Sequence, residues 1–188
     1  MKGFFRAVTA LILIAVAVIS LCFGYGFLTK ALYPMKYESV VNKASDAYNV
    51  EKALIYSVIR TESGFRENAV SRADAIGLMQ LVPETFLWLQ DENQSLPKAT
   101  VEELKTPDVN ITYGTFYLSY LLQKYESKST AIAAYNAGPG NVNKWLDNPE
   151  YSKDGVTLQK IPYEETRNYV SKVIAGEEMY NKLYFDEE

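Results

Sequence analysis

Glu62 stands three, four and seven residues after Ile59, Val58 and Ile55, which on a helix puts its carboxyl on their apolar face. Loss of water on such a face disfavours the ionised form and raises the pKa. A carboxyl that keeps its proton near neutral pH can act as a general acid. The same glutamate could instead end a fraying helix in water, or pair with Arg60, Arg66 or Arg72, and its position alone leaves both readings open. The chain has no histidine, which excludes a Ser-His-Asp triad, a Cys-His pair and every histidine-dependent zinc site. Carboxylates are then the groups expected to carry acid–base chemistry.

Glu62 opens the block Glu62-Ser63-Gly64-Phe65, which is followed in order by Gly77-Leu78-Met79-Gln80 and by Ala134-Tyr135-Asn136-Ala137-Gly138-Pro139-Gly140. A fourth block runs from Ile161-Pro162-Tyr163-Glu164-Glu165 through Thr166-Arg167-Asn168-Tyr169-Val170. In this order and spacing they resemble the catalytic domain of the soluble lytic transglycosylase family, whose lysozyme-like helical fold is related to goose-type lysozyme. The resemblance covers about Tyr37 to Tyr184. It implies an enzyme that cleaves the glycan strands of peptidoglycan between N-acetylmuramic acid and N-acetylglucosamine and leaves 1,6-anhydro ends, with no metal and no organic cofactor. Its nearest rivals are a hydrolytic lysozyme using the same glutamate, and a non-catalytic domain that only grips glycan.

By the same resemblance Glu62 is the acid and base, Ser71 orients the substrate's N-acetyl group, and Gln80 lines the cleft. Tyr135 matches the active-site tyrosine, Glu165 a second acidic residue that contacts sugar or supports the site, and Met79 and Asn136, inside the matching blocks, are expected among the substrate-binding residues. Each has a plainer reading. Met79 and Leu78 suit a core, Gly77 a turn, Asn136 a helix cap before Gly138, and Glu165 the first turn of a helix, where the dipole favours a negative charge. Thr61, Gly64-Phe65 and Val82 depart from the family's commoner pattern without removing a reacting group.

The elements that must position these residues read as helices. Val40, Val41, Ala44, Ala47 and Tyr48 recur at helical spacing, and Asn49 is expected to cap a second helix containing Val50, Leu54, Ile55, Val58 and Ile59. Irregular chain is expected from Ser63-Gly64 to Gly77, and a helix from Pro83-Glu84, since proline suits a first turn. Helical patterns follow over about Pro107 to Tyr125 and Ser129 to Asn136, with Gly138-Pro139-Gly140 as a break, and from near Pro162 towards Tyr184. The Leu96-to-Thr106 and Asn148-to-Ile161 segments read as polar connections. No strand pattern competes, so residues 37–188 are expected to form one all-α domain.

Ahead of that domain, Ala7 to Leu28 carries no charge and is long enough to cross a hydrocarbon core of about 30 Å. Residues 1–36 are therefore expected to be a single N-terminal membrane helix and tether. The short basic start at Lys2 and Arg6 favours a cytoplasmic N-terminus and a domain outside the cytoplasm. A cleaved signal segment is the alternative, although the apolar run exceeds a usual signal core of ~7–15 residues and ends in no Ala-x-Ala site. Cys22 admits a lipoprotein site, with Leu21 larger than such sites usually accept. One cysteine cannot close an internal disulfide, so the domain must fold by burial alone. A net charge of −4 with no basic cluster argues against nucleic acid as a partner.

Overall fold

The computed structural model describes residues 2–186, and the chain divides into two compact units, Met1–Pro34 and Met35–Glu188. The first is one helix, α1 (Lys2–Leu32), containing one span, Leu13–Leu32, that is long and apolar enough to cross a membrane. Leu13, Ile14, Val16, Val18, Ile19, Leu21 and Phe23 are all exposed, as a lipid-facing helix requires. The side chains of Ala7 to Ile12 and of Cys22 lie outside the described residues.

In the second unit α2 (Glu38–Tyr48) and α3 (Lys52–Glu62) form a helix pair, followed by a long irregular loop, α4 (Pro83–Glu92) and a 3₁₀ turn at Glu102–Lys105. Then come α5 (Pro107–Lys124), α6 (Lys128–Ala137), α7 (Pro139–Leu146) and α8 (Glu164–Tyr180), the last widening into a π turn over Asn181–Phe185. The unit is all-α among the described residues. Two isolated antiparallel bridges in the loop, Val70 with Ile76 and Ile76 with Leu81, are its only extended pairing there.

Two expectations about boundaries are corrected. Asn49 closes α2 instead of opening α3: it sits in the left-handed region at φ 52° and donates its N–H to the Ser45 carbonyl, while Glu51 precedes α3. Gly138-Pro139-Gly140 does break a helix, at Gly138 with φ 83°, but Pro139 then starts α7 immediately.

The buried spine is α3, whose residues from Ala53 to Ile59 are all shielded, and it packs chiefly on α8. The contact is close because Gly176 has no side chain. Ser57 Oγ fills that space and donates to the Val173 carbonyl at 2.6 Å, and a Cβ on Gly176 would run into the same oxygen. Gly176→Ala should therefore destabilise the fold by a net ~1 kcal/mol or more, despite alanine's better helix propensity. In a Ser57→Ala background the penalty should shrink to less than half, and urea denaturation of the four proteins measures this. An unchanged penalty would mean that Ser57 does not set the helix separation.

α5 packs against α2 and α6, and α6 against α8, so the C-terminal end of α3 faces the ends of α6 and α8 across the irregular loop. Lys128 at the start of α6 ties the far side together, with Nζ 2.7 Å from the buried Glu177 of α8 and 3.6 Å from Glu51.

Candidate active site

Glu62 is the last residue of α3 and stands where two sections of one cleft meet. One section, of about 830 Å3, runs between the loop residues Phe65 to Ser71 and the segment Lys36-Tyr37. The other, of about 410 Å3, runs between Ala73 to Thr85 and the Tyr117, Tyr135, Asn136 and Glu165 side. Glu62, Ser71 and Gln80 line both. Most of the Glu62 side chain is enclosed, and this loss of water, more than anything else, lifts its pKa to about 7. The negative charge of Glu165 adds to the rise. Tyr169 opposes it: its hydroxyl approaches the Glu62 carboxyl, without completing a hydrogen bond in this geometry, and favours the ionised form. Of the arginines near in sequence, Arg66 is engaged elsewhere, its Nε donating to the Ser63 carbonyl at 2.9 Å.

The loop from Ser63 to Val82 forms the cleft wall and is held by a few specific ties. Gly64 and Phe65 are both left-handed, at φ 58° and 64°, which turns the chain sharply off α3 and tucks the Phe65 ring towards Tyr56, with centroids 6.5 Å apart. Ser71 Oγ accepts the N–H groups of Ala73 and Ala75, each at 3.1 Å, so its own O–H remains available as a donor. Gln80 Nε2 donates to the carbonyls of Gly77 at 2.8 Å and Ala69 at 3.2 Å. Both its N–H bonds are thereby used, and Oε1 is left as an acceptor on the cleft wall.

Asn110 of α5 fixes the floor. Its Oδ1 accepts the Met79 N–H at 2.7 Å, and its Nδ2 donates to the carbonyls of Ile76 at 2.9 Å and Leu104 at 2.8 Å. Gly77, at φ 83°, passes so close that any Cβ would strike Asn110 Nδ2 and the Leu104 carbonyl. Met79, grouped above with the substrate-contacting residues, is placed differently: its side chain is fully buried against Gly114 and Thr115 and does not line the cleft. Its backbone reaches the site instead, because the Met79 carbonyl accepts the Tyr135 hydroxyl at 2.9 Å.

Tyr135 and Tyr169, from α6 and α8, are both buried, and burial together with the charge of Glu62 holds their hydroxyls well above the ordinary tyrosine range. They surround the carboxyl with protonated phenols. Asn136 does not cap α6; its Oδ1 accepts the Thr166 hydroxyl at 2.8 Å, which joins α6 to α8 at the cleft edge. Glu165, in the first turn of α8, is exposed on the same edge. Glu62, Ser71, Gln80, Tyr135, Asn136 and Glu165 are thus brought to one cleft section, and Met79 lies behind it.

Two contributors, Asn110 and Tyr117, have no distinguishing signal as single residues. Asn110 is one polar residue on an otherwise packed helix, and Tyr117 is one of 15 tyrosines. Tyr169 could have been found by spacing, since it lies four residues after Glu165 and three after Thr166 and so shares their helical face. Together the groups amount to one carboxyl that retains its proton to near neutrality, an O–H donor, an amide acceptor and aromatic rings.

The family model described as transglycosylase SLT domain matches residues 39–156. The chain is 31% identical over 156 residues to the soluble lytic murein transglycosylase of Escherichia coli K12, covering 82% of this chain and 24% of that protein. It is 32% identical over 170 residues to membrane-bound lytic murein transglycosylase C of Pectobacterium atrosepticum, covering 78% of this chain and 47% of the relative. The chain thus spans about a quarter of the soluble relative and about half of the membrane-bound one. Among solved structures, the 70 kDa soluble lytic transglycosylase of E. coli superposes with a TM-score of 0.74 at 28% identity, over 84% of this chain and 26% of that one. An inactive glutamate-to-glutamine mutant of lytic transglycosylase Slt from Pseudomonas aeruginosa does so with 0.71 at 31%, over 82% and 25%. The family match takes in the α2–α7 framework around the cleft, and on that ground the chain belongs to the transglycosylase SLT domain family.

Proposed function

We propose that the chain is a peptidoglycan lytic transglycosylase that breaks the bond between N-acetylmuramic acid and N-acetylglucosamine, with Glu62 as its only acid and base. The observation that carries this reading is a carboxyl kept protonated to about pH 7 by burial at the meeting point of two cleft sections, so that sugar can extend to both sides of it. The names of the soluble and membrane-bound relatives support the substrate, and the inactive mutant supports an essential glutamate.

Protonated Glu62 donates to the glycosidic oxygen, the bond from that oxygen to C1 breaks, and the N-acetylglucosamine side leaves as an alcohol. Positive charge at C1 is stabilised by the acetamido oxygen of the same muramoyl residue, so no second carboxylate is needed as nucleophile. The Ser71 O–H and the Gln80 Oε1 are a donor and an acceptor suited to the C=O and N–H of that acetamido group. Glu62, now a carboxylate, takes the proton of the muramoyl 6-hydroxyl as its oxygen closes on C1. The anhydro ring forms, Glu62 recovers its proton, and no water is consumed. Tyr135 and Tyr169 hold the carboxyl in place, and Glu165 meets sugar hydroxyls at the rim. The α1 span acts as an uncleaved single-pass anchor that keeps the 37–188 domain outside the cytoplasm and close to its polymeric substrate.

The full-length protein in detergent micelles, added to purified peptidoglycan sacculi, should release soluble muropeptides. Its kcat/KM should fall about tenfold per pH unit above the Glu62 pKa of about 7, since only the protonated form can start the reaction. Binding to sacculi without release at any pH would make the domain a glycan-holding scaffold.

A further inference from the structure

We propose that Trp88 and Tyr120 form a distal glycan subsite that extends the Tyr135 side of the cleft along α4 and α5. The inference rests on the glycan reading of the cleft. Val82 and Thr85 line the cleft, and Trp88 is the next residue on the same face of α4, one turn further from Glu62. On α5 Tyr117 lines the cleft, and Tyr120 and Lys124 continue its face at positions three and seven residues on.

The rings connect. Tyr135, beside Glu62, lies 5.2 Å from Tyr117, Tyr117 lies 6.4 Å from Trp88, and Trp88 lies 5.2 Å from Tyr120, all between centroids. Both tyrosines meet Trp88 nearly perpendicular, at 80° and 75°, so neither lies parallel to the indole, and the residue is 37% exposed. A large aromatic left partly in water at the open end of an aromatic row suits the apolar face of a sugar ring. Lys124 ends the row with Nζ 5.9 Å from the Tyr120 ring centre and 5.8 Å from that of Tyr125, and no ion pair among the described residues, a cation placed for the carboxylates of peptide stems or, on muramoyl residues without a stem, of the lactyl group. Continuity with the cleft, and a cation at its far end, fit a glycan strand better than a protein partner.

Binding is measured with the full chain in detergent, in a Glu62→Gln background so that glycan is held without being cut. Long glycan strands from sacculi should bind Glu62→Gln/Trp88→Ala about tenfold more weakly than Glu62→Gln alone, the loss of one aromatic stacking contact. A tetrasaccharide short enough to fill only the cleft should bind both proteins equally. Leu87→Ala, which removes an exposed apolar residue on the neighbouring face of α4, should leave strand affinity unchanged. Equal weakening for strand and tetrasaccharide, no weakening, or the same loss from Leu87→Ala would overturn the subsite. Strand binding that depends on Trp88, in a protein whose wild type cuts nothing, would refute the transglycosylase reading and keep the subsite.

Discussion

Glu62→Gln is expected to lower peptidoglycan turnover by about a thousandfold or more, because the amide can neither give a proton to the leaving oxygen nor take one from the 6-hydroxyl. The same change should make the fold more stable above neutral pH. An unfolded glutamate ionises near its ordinary pKa of 4.5, and the folded Glu62 near 7, so between these values the folded state binds more protons than the unfolded. Stability is unpenalised below 4.5, falls as pH rises through this window, and carries the full penalty above 7. Removing the titrating group removes a penalty on the order of 2 kcal/mol at pH 8, a rise in Tm of roughly 4–8 °C for a domain of this size. At pH 4 the two proteins should melt within a degree or so of each other, as no pH-linked penalty is left to remove. A stabilised, inactive variant is the mark of a group held against its preferred ionisation for chemistry. A variant destabilised at pH 8 would show that the carboxylate supports the fold.

The second large effect is expected at Asn110, which contacts no cleft space. Asn110→Ala leaves the Met79 N–H and the Ile76 and Leu104 carbonyls without their partner, which should cost about 3 kcal/mol or more. It should also lower kcat well below what the remaining folded fraction accounts for, because Met79 holds the Tyr135 hydroxyl and Gln80 follows it in the chain. The pH at which activity begins to fall should stay near 7, since Tyr169 and Glu165, whose hydroxyl and charge act on Glu62, belong to α8 and not to the loop that Asn110 holds. Denaturant titration, with a pH–rate profile at a temperature where the variant is folded, separates these effects. A loss below 1 kcal/mol with normal kcat would remove Asn110 from the positioning of the site.

What could be read before the fold was known follows from where each signal resides. Glu62 on an apolar face is a matter of helical spacing, which is local, and the helix carrying it is present. The loop is different. Nothing local says that Gly77 is required by the approach of Asn110, 33 positions later, or that Ser71 spends its lone pairs on its own turn. Met79 lies beside a cleft residue in sequence, yet the left-handed turn at Gln80, φ 51°, sends the two side chains to opposite sides of the wall. The Gly138-Pro139-Gly140 run was misleading for a definite reason: glycine ends one helix and proline is the best residue to begin another, so the same three residues signal a break and a restart. Asn49 is similarly ambiguous, since asparagine suits both an N-cap and a left-handed C-cap.

The most direct test of a single carboxyl passing a proton from leaving oxygen to internal nucleophile is the fate of solvent oxygen. Purified peptidoglycan digested by the full-length protein in oxygen-18 water should give muramoyl ends lighter by one water than reducing ends, with no heavy oxygen incorporated during the cleavage. Reducing ends carrying oxygen-18 at C1 would show that water attacks instead, making the enzyme a hydrolytic lysozyme and contradicting the ring closure assigned to Glu62.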